Sequence, residues 1–134
     1  MVQFGKVYLV TLVVFFAIDI VWLGVVAKNI YRQNIGHLMA DKVNWLAAGL
    51  FYLLYILGIV YLAVNPALRG QGFLYALRMG LIFGFFTYMT YDLTNLATLK
   101  DWSLKVTIMD IAWGTLLGGS VASISYGLSK LLKF

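Results

Sequence analysis

Asp19, Asp92 and Asp110 lie inside stretches apolar enough to be read as membrane spans, and no lysine or arginine adjoins them. A charged side chain at the centre of a bilayer costs about 2.5–3.5 kcal/mol on insertion scales. Three of them oppose insertion by roughly 7–10 kcal/mol, so they mark a functional site by default. Carboxyls in apolar surroundings hold protons, bind cations or act as general acid and base.

Depth brings the three together. The four longest apolar runs are Val7–Ala27, Asn44–Val64, Leu77–Leu99 and Thr107–Leu128, each long enough for the ~20-residue crossing of a hydrocarbon core. Spans one and three run the same way and span four runs back. At about 1.5 Å per residue, all three carboxyls fall in the half of the membrane nearest the 28–43 and 100–106 loops, whichever way the chain inserts. With no fixed countercharge, at least one is expected to keep its proton in the empty state.

The surroundings are polar in a patterned way. In the third span Tyr88, Asp92 and Asn95 share a stripe, flanked by Tyr91, Thr94 and Thr98. Lipid tolerates no such surface, so it is expected to face inward. In the fourth span Thr107, Asp110, Trp113 and Gly114 share a face. Asp19-x-x-Trp22 in span one is echoed by Asp110-x-x-Trp113; residues three apart lie on one helix face, so each carboxyl has an indole about a turn away. The two tryptophans are expected to pack. Lys100 and Lys105 are near enough to snorkel toward the carboxyls.

Other segments serve architecture. Ile30, Tyr31, Ile35, Leu38 and Met39 recur at helical spacing in the first loop, which predicts a short amphipathic helix in the interface. His37 on it is expected to touch headgroups. Asn65-Pro66 is expected to end span two, because proline disfavours helix in the preceding residue. Gly80-x-x-x-Gly84 and Gly114-x-x-x-Gly118 are the small-residue pairs that let membrane helices approach closely, so spans three and four should touch.

Composition narrows the class. The chain has 134 residues, 63% hydrophobic and 11% charged, with mean hydropathy +0.90. Soluble proteins are about a quarter charged. The spans consume most of the length, so an all-α integral membrane four-helix bundle with antiparallel spans is expected, as a single membrane domain over residues 1–134. Span one reads as an anchor rather than a cleaved signal, being too long and interrupted by Asp19. Without cysteine there is no disulfide or thiolate chemistry. The net charge of +5 is spread one or two residues at a time beside spans, which suits headgroups and not nucleic acid. Lys6, Arg69, Arg78, Lys130 and Lys133 lie on the side of the termini and Lys28, Arg32, Lys42, Lys100 and Lys105 on the other. Five against five leaves the positive-inside rule undecided; termini in the cytoplasm are taken as the working orientation.

No serine-hydrolase motif, histidine cluster or paired Asp-rich magnesium motif is present. Tyr91-Asp92 matches half of the intramembrane aspartyl protease signature, but Thr107-Ile108-Met109 precedes Asp110 where Gly-x-Gly is required. No metal site is assigned, and the sequence leaves the question of a cofactor open.

Asp19-x-x-Trp22, the segment Tyr91-Asp92-Leu93-Thr94-Asn95-Leu96-Ala97-Thr98, Trp102 and Asp110-x-x-Trp113-Gly114 together resemble domain of unknown function family 2177, a group of small bacterial membrane proteins. The resemblance implies a four-helix protein of a bacterial inner membrane and carries no established activity.

The expectation is an acidic, tyrosine-rich pocket that binds or transports a small cationic or polar ligand, or protons. Asp92 is its principal residue, Asp19 and Asp110 its partners, and Tyr88, Tyr91, Asn95, Thr98, Trp22 and Trp113 its shell. The lipid bilayer is the first partner, and transport by so small a chain implies a homodimer. The alternatives are an enzyme acting on a lipid-soluble substrate through aspartate acid/base chemistry, and a non-catalytic scaffold in which the aspartates only hydrogen-bond neighbouring helices.

Overall fold

The computed structural model describes residues 2–134, and every regular element in it is helical. Helix α1 (Val2–Val21) runs on into a π-helical turn at Trp22–Val26, and the short α2 (Lys28–Ile35) follows after Ala27. Helix α3 (Trp45–Ile59) continues through π-helical turns at Val60–Val64 and Ala67–Gln71, followed by α4 (Phe73–Thr98) and α5 (Leu104–Leu131). Four helices are long and apolar enough to cross a membrane: Gln3–Val26, Trp45–Gln71, Phe73–Thr98 and Leu104–Leu131. The fold is an all-α membrane four-helix bundle.

Each span outruns its apolar segment at one or both ends. Gln3, Lys6, Arg78 and Lys105 lie within the helices, because long polar side chains near a helix end reach the headgroups without breaking the backbone. Caps fix the starts on the loop side. The Asn44 side chain accepts from the Ala47 amide at 3.1 Å and opens α3. Ser103 accepts from Val106 at 3.2 Å and opens α5. These bonds satisfy amides that a helix start leaves without partners.

Span two departs from expectation. Asn65 and Pro66 are both helical (φ −66° and −61°), so the proline does not end the helix. Proline clashes with the carbonyl four residues back and withholds one donor. The flanking π-helical turns bond over five residues rather than four, which accommodates both defects. The chain turns instead at Gly70 (φ 126°) and Gly72 (φ 82°), conformations that glycine adopts at little cost.

Helix α5 is the most enclosed span, packed chiefly on α4 and next on α1. A Cβ on Gly84 would strike the Gly114 carbonyl oxygen, and one on Gly80 would strike that of Gly118. The seam continues at four-residue spacing through Ala76, Gly80, Gly84, Tyr88 and Asp92 on α4, facing Asp110, Gly114, Gly118 and Ala122 on α5. Without a hydrophobic drive between helices in lipid, such close backbone approach supplies the packing. Toward the termini the core is mostly apolar, with Phe15, Ile56, Ile59, Leu117 and Val121 wholly buried, and it also encloses the hydroxyls of Thr11, Ser125 and Ser129.

Candidate functional site

Asp92 ends the buried stripe of α4, and the backbone approach along the glycine seam brings it to Asp110 of α5. Asp92 is 0% exposed and Asp110 6%, and their carboxyls lie within hydrogen-bonding reach of each other. Among the described residues neither oxygen of Asp92 meets a hydrogen-bond donor. Lys100 and Lys105 stay at the exposed surface instead of reaching down. Asp92 lies six residues before the end of α4 and Asp110 six after the start of α5, so both sit about 9 Å inside the helix ends at the helical rise.

Asp19 lies at similar depth, 4% exposed, but in a separate niche. Its carboxylate accepts from the Tyr52 hydroxyl of α3 at 3.4 Å. The Trp113 indole N–H is close by without completing a hydrogen bond. Among the described residues no three His, Cys, Asp or Glu side chains are placed to hold a metal ion. The acidic region is therefore a pair and a single, at one level.

Aromatic side chains join the two. Trp22 and Trp113 stack with centroids 4.2 Å apart and planes within 5°. Trp22 Nε1 donates to the Tyr31 hydroxyl at 3.1 Å, and that hydroxyl donates to Asp110. Burial, with the bond to Asp110 adding to it, holds the Tyr31 phenol well above the usual tyrosine range, so it is a neutral donor. A cavity of about 90 Å³ lies among these groups, with Asp19, Trp22, Tyr31, Tyr52, Tyr88 and Trp113 in its wall. Beside it a cleft of about 320 Å³ is lined by Phe51, Tyr55, Thr87, Tyr88 and Tyr91. Phe51 and Tyr91 are about half exposed, so the cleft faces the lipid side.

Of the residues singled out by type and spacing, Asp92, Asp110, Tyr88, Trp22, Trp113 and Asp19 gather around this region. Tyr91 turns outward, its ring edge-on to Trp102 at 5.8 Å, with Asn95 beside it. Thr98 is exposed, and its hydroxyl donates to the Thr94 carbonyl at 2.7 Å, away from the carboxyls. Tyr31 and Tyr52 were not among the expected site residues. The amphipathic spacing around Tyr31 predicts a short helix in the interface, which is where α2 forms, but it does not point Tyr31 at the carboxyls. Tyr52 stands in a uniformly apolar run with no such spacing.

The fold and this buried acidic region define a class: a small polytopic membrane protein with ionisable groups held inside the bundle. The chain belongs to the family described as predicted membrane protein (DUF2177), which it matches over residues 4–127. No curated protein and no solved structure matches it at a significant level.

Proposed function

We propose that this protein binds a proton or one small cation between Asp92 and Asp110. Tyr31 covers the pair, and the niche of Asp19, Tyr52, Tyr88, Trp22 and Trp113 forms its antechamber. The observation that carries the reading is the Asp92 carboxyl, wholly buried and without a donor, beside a second carboxyl. Two bare carboxylates so placed would face desolvation and mutual repulsion together. A proton or a cation between them relieves both.

Size and packing narrow the ligand. The chamber of about 90 Å³ is walled by Asp19 and not by Asp92 or Asp110, so it is read as the approach to the pair, and the near-complete burial of the pair itself favours a proton or one small ion over a lipid headgroup. The buried block of Phe15, Ile56, Leu117 and Val121 lies between this chamber and the termini, with the hydroxyls of Thr11, Ser125 and Ser129 buried on the same side, and its apolar bulk supports binding from one face over passage through one chain. We take the molecule to be a single membrane domain of a bacterial inner membrane, in line with its family resemblance, and keep cytoplasmic termini as the working orientation.

Carboxyl-stretch infrared titration tests the reading. A protonated carboxyl band is expected at neutral pH, lost in Asp92→Asn and diminished by a monovalent cation that competes for the pair. Two ionised carboxylates at neutral pH that take up no cation would end it.

A second reading rests on the aromatic cleft. Phe51 and Tyr88 line both cleft and chamber, so a lipid-soluble substrate lying against Tyr91 and Tyr55 would approach the acidic groups from the bilayer. Asp92 and Asp110 would then act as acid and base on it. A lipid that copurifies and is chemically altered by wild type but not by Asp92→Asn would select this reading.

A further inference from the structure

We propose that the cavity around Arg69, at the other end of the bundle, binds the phosphate headgroup of an anionic phospholipid. The cavity has a volume of about 540 Å³ and is lined by Phe4, Tyr61, Asn65, Arg69, Gln71 and Tyr75, among others. A second space of about 330 Å³ adjoins it and shares Phe4, Asn65 and Arg69. Arg69 thus lines both spaces where they adjoin.

The wall has the chemistry of a headgroup site. Arginine presents a planar fork of donors that matches phosphate oxygens in pairs. The Asn65 amide lies four residues from Arg69 on the same helix, and Gln71 adds a second amide. Tyr61 and Tyr75 bring hydroxyl-bearing rings of the kind that settle at the membrane–water boundary. Leu62 and Met79 complete the wall with apolar surface where an acyl chain would begin. Basic pockets between membrane helices hold anionic headgroups by this combination of charge and depth.

The backbone builds the site. Tyr61 and Leu62 belong to one π-helical turn, Arg69 and Gln71 to the next, and Pro66 lies between them. Single π-helical turns recur at functional sites because they displace side chains from the regular register. The cost of a widened helix carrying a proline is hard to explain by packing alone, since the turn at Gly70 and Gly72 would reverse the chain without it. Nearby, Lys6 Nζ lies 5.3 Å over the ring of Phe134, and Phe134 lines the second space. A second positive charge therefore stands at the rim.

The inference is independent of the carboxyl pair and is tested without it. The full chain is purified from bilayers of phosphatidylglycerol and phosphatidylcholine in equal parts, and retained lipids are counted by native mass spectrometry. Phosphatidylglycerol should be retained in preference. Arg69→Gln should lower that preference by about tenfold, the order expected for one charge-assisted hydrogen bond. Arg78→Gln, an exposed arginine near the same membrane face but outside the cavity wall, should leave it unchanged, as should Asp92→Asn. Equal retention of the two lipids, or an equal loss in the Arg69 and Arg78 variants, would overturn the proposal. Full displacement of the lipid by inorganic phosphate would overturn the lipid as source and leave a site for free phosphate. The unfolding temperature of Arg69→Gln, expected to match wild type for so exposed a side chain, separates lost binding from lost fold.

Discussion

Tyr31, carried by the short helix α2 outside the four spans, donates its hydroxyl to Asp110 of α5 while accepting from Trp22 in the π-helical turn that follows α1. One phenol thereby ties the first loop, the first span and the last span at the carboxyl pair. Helix α2 has no fully buried residue of its own, so this bond is a principal anchor of the loop against the bundle.

Tyr31→Phe removes that bond and leaves the Trp22 indole without its acceptor. A loss of about 1–3 kcal/mol is expected, the cost of stranding a partly buried polar group. The pH dependence has a definite sign. The folded-state phenol titrates above its unfolded value, chiefly through burial. Its stabilisation is therefore fully present below about pH 10, the ordinary tyrosine value, and drains away as pH rises toward the folded-state value. Thermal unfolding in detergent above pH 10 should fall more steeply for wild type than for Tyr31→Phe. Parallel slopes would remove Tyr31 from the network.

Gly84→Ala places a methyl group against the Gly114 carbonyl, where neither backbone can yield without parting α4 from α5. Overpacking of this kind costs about 1–3 kcal/mol. Gly49→Ala, with open space around its Cβ, should be neutral or stabilising, since alanine is the better helix former by about 0.5–1 kcal/mol. A thermal shift of the same size in both would show that the glycine seam does not hold the helices together.

Asp92→Asn should stabilise the protein in alkaline buffer, where the carboxyl pair no longer keeps its proton. The amide needs neither proton nor cation and donates to Asp110 permanently, whereas the carboxyl, which meets no other donor, makes that bond only while it holds the shared proton. A gain of about 1–2 kcal/mol is expected from that hydrogen bond and the relieved desolvation, read as a rise in unfolding temperature. A fall would mean that the carboxyl is structural and that its ligand chemistry is incidental.

What the chain discloses before folding divides along physical lines. Span number is legible because it depends on the length of apolar runs alone. The approach of α4 and α5 is legible in the two small-residue pairs, since backbone contact demands small side chains at four-residue spacing. The common depth of Asp19, Asp92 and Asp110 follows from counting residues along rods of fixed rise. Lateral neighbours are not legible in this way. Nothing in α3 marks Tyr52 rather than Tyr55 as the partner of Asp19, because that depends on how each helix is rotated about its axis. For the same reason Thr98 reads as part of the polar stripe and turns out to face away. Proline 66 misleads for a different cause. Its local preference is real, but the two π-helical turns beside it offer a helical path that the preference does not foresee.

The repeated Asp-x-x-Trp element makes a final prediction, because its two copies meet. Trp22 lies face to face with Trp113; the Trp113 indole nears Asp19, and the Trp22 indole reaches Asp110 through Tyr31. The element is thus used crosswise, each indole serving the region of the other helix's carboxyl. Stacked aromatic pairs contribute about 0.5–1.5 kcal/mol beyond the area they bury, and contacting residues show coupling of about 0.5–3 kcal/mol in double-mutant cycles. The cycle of Trp22→Leu and Trp113→Leu should therefore give a coupling near 1 kcal/mol from the stack alone. Adding Tyr31→Phe to each corner isolates the relay to Asp110. If the coupling between Trp22 and Trp113 persists in the Tyr31→Phe background, the stack stands by itself; if it collapses, Tyr31 holds Trp22 in register for stacking. Additive single variants in both backgrounds would mean that the two helices meet at this level without the tryptophans binding them.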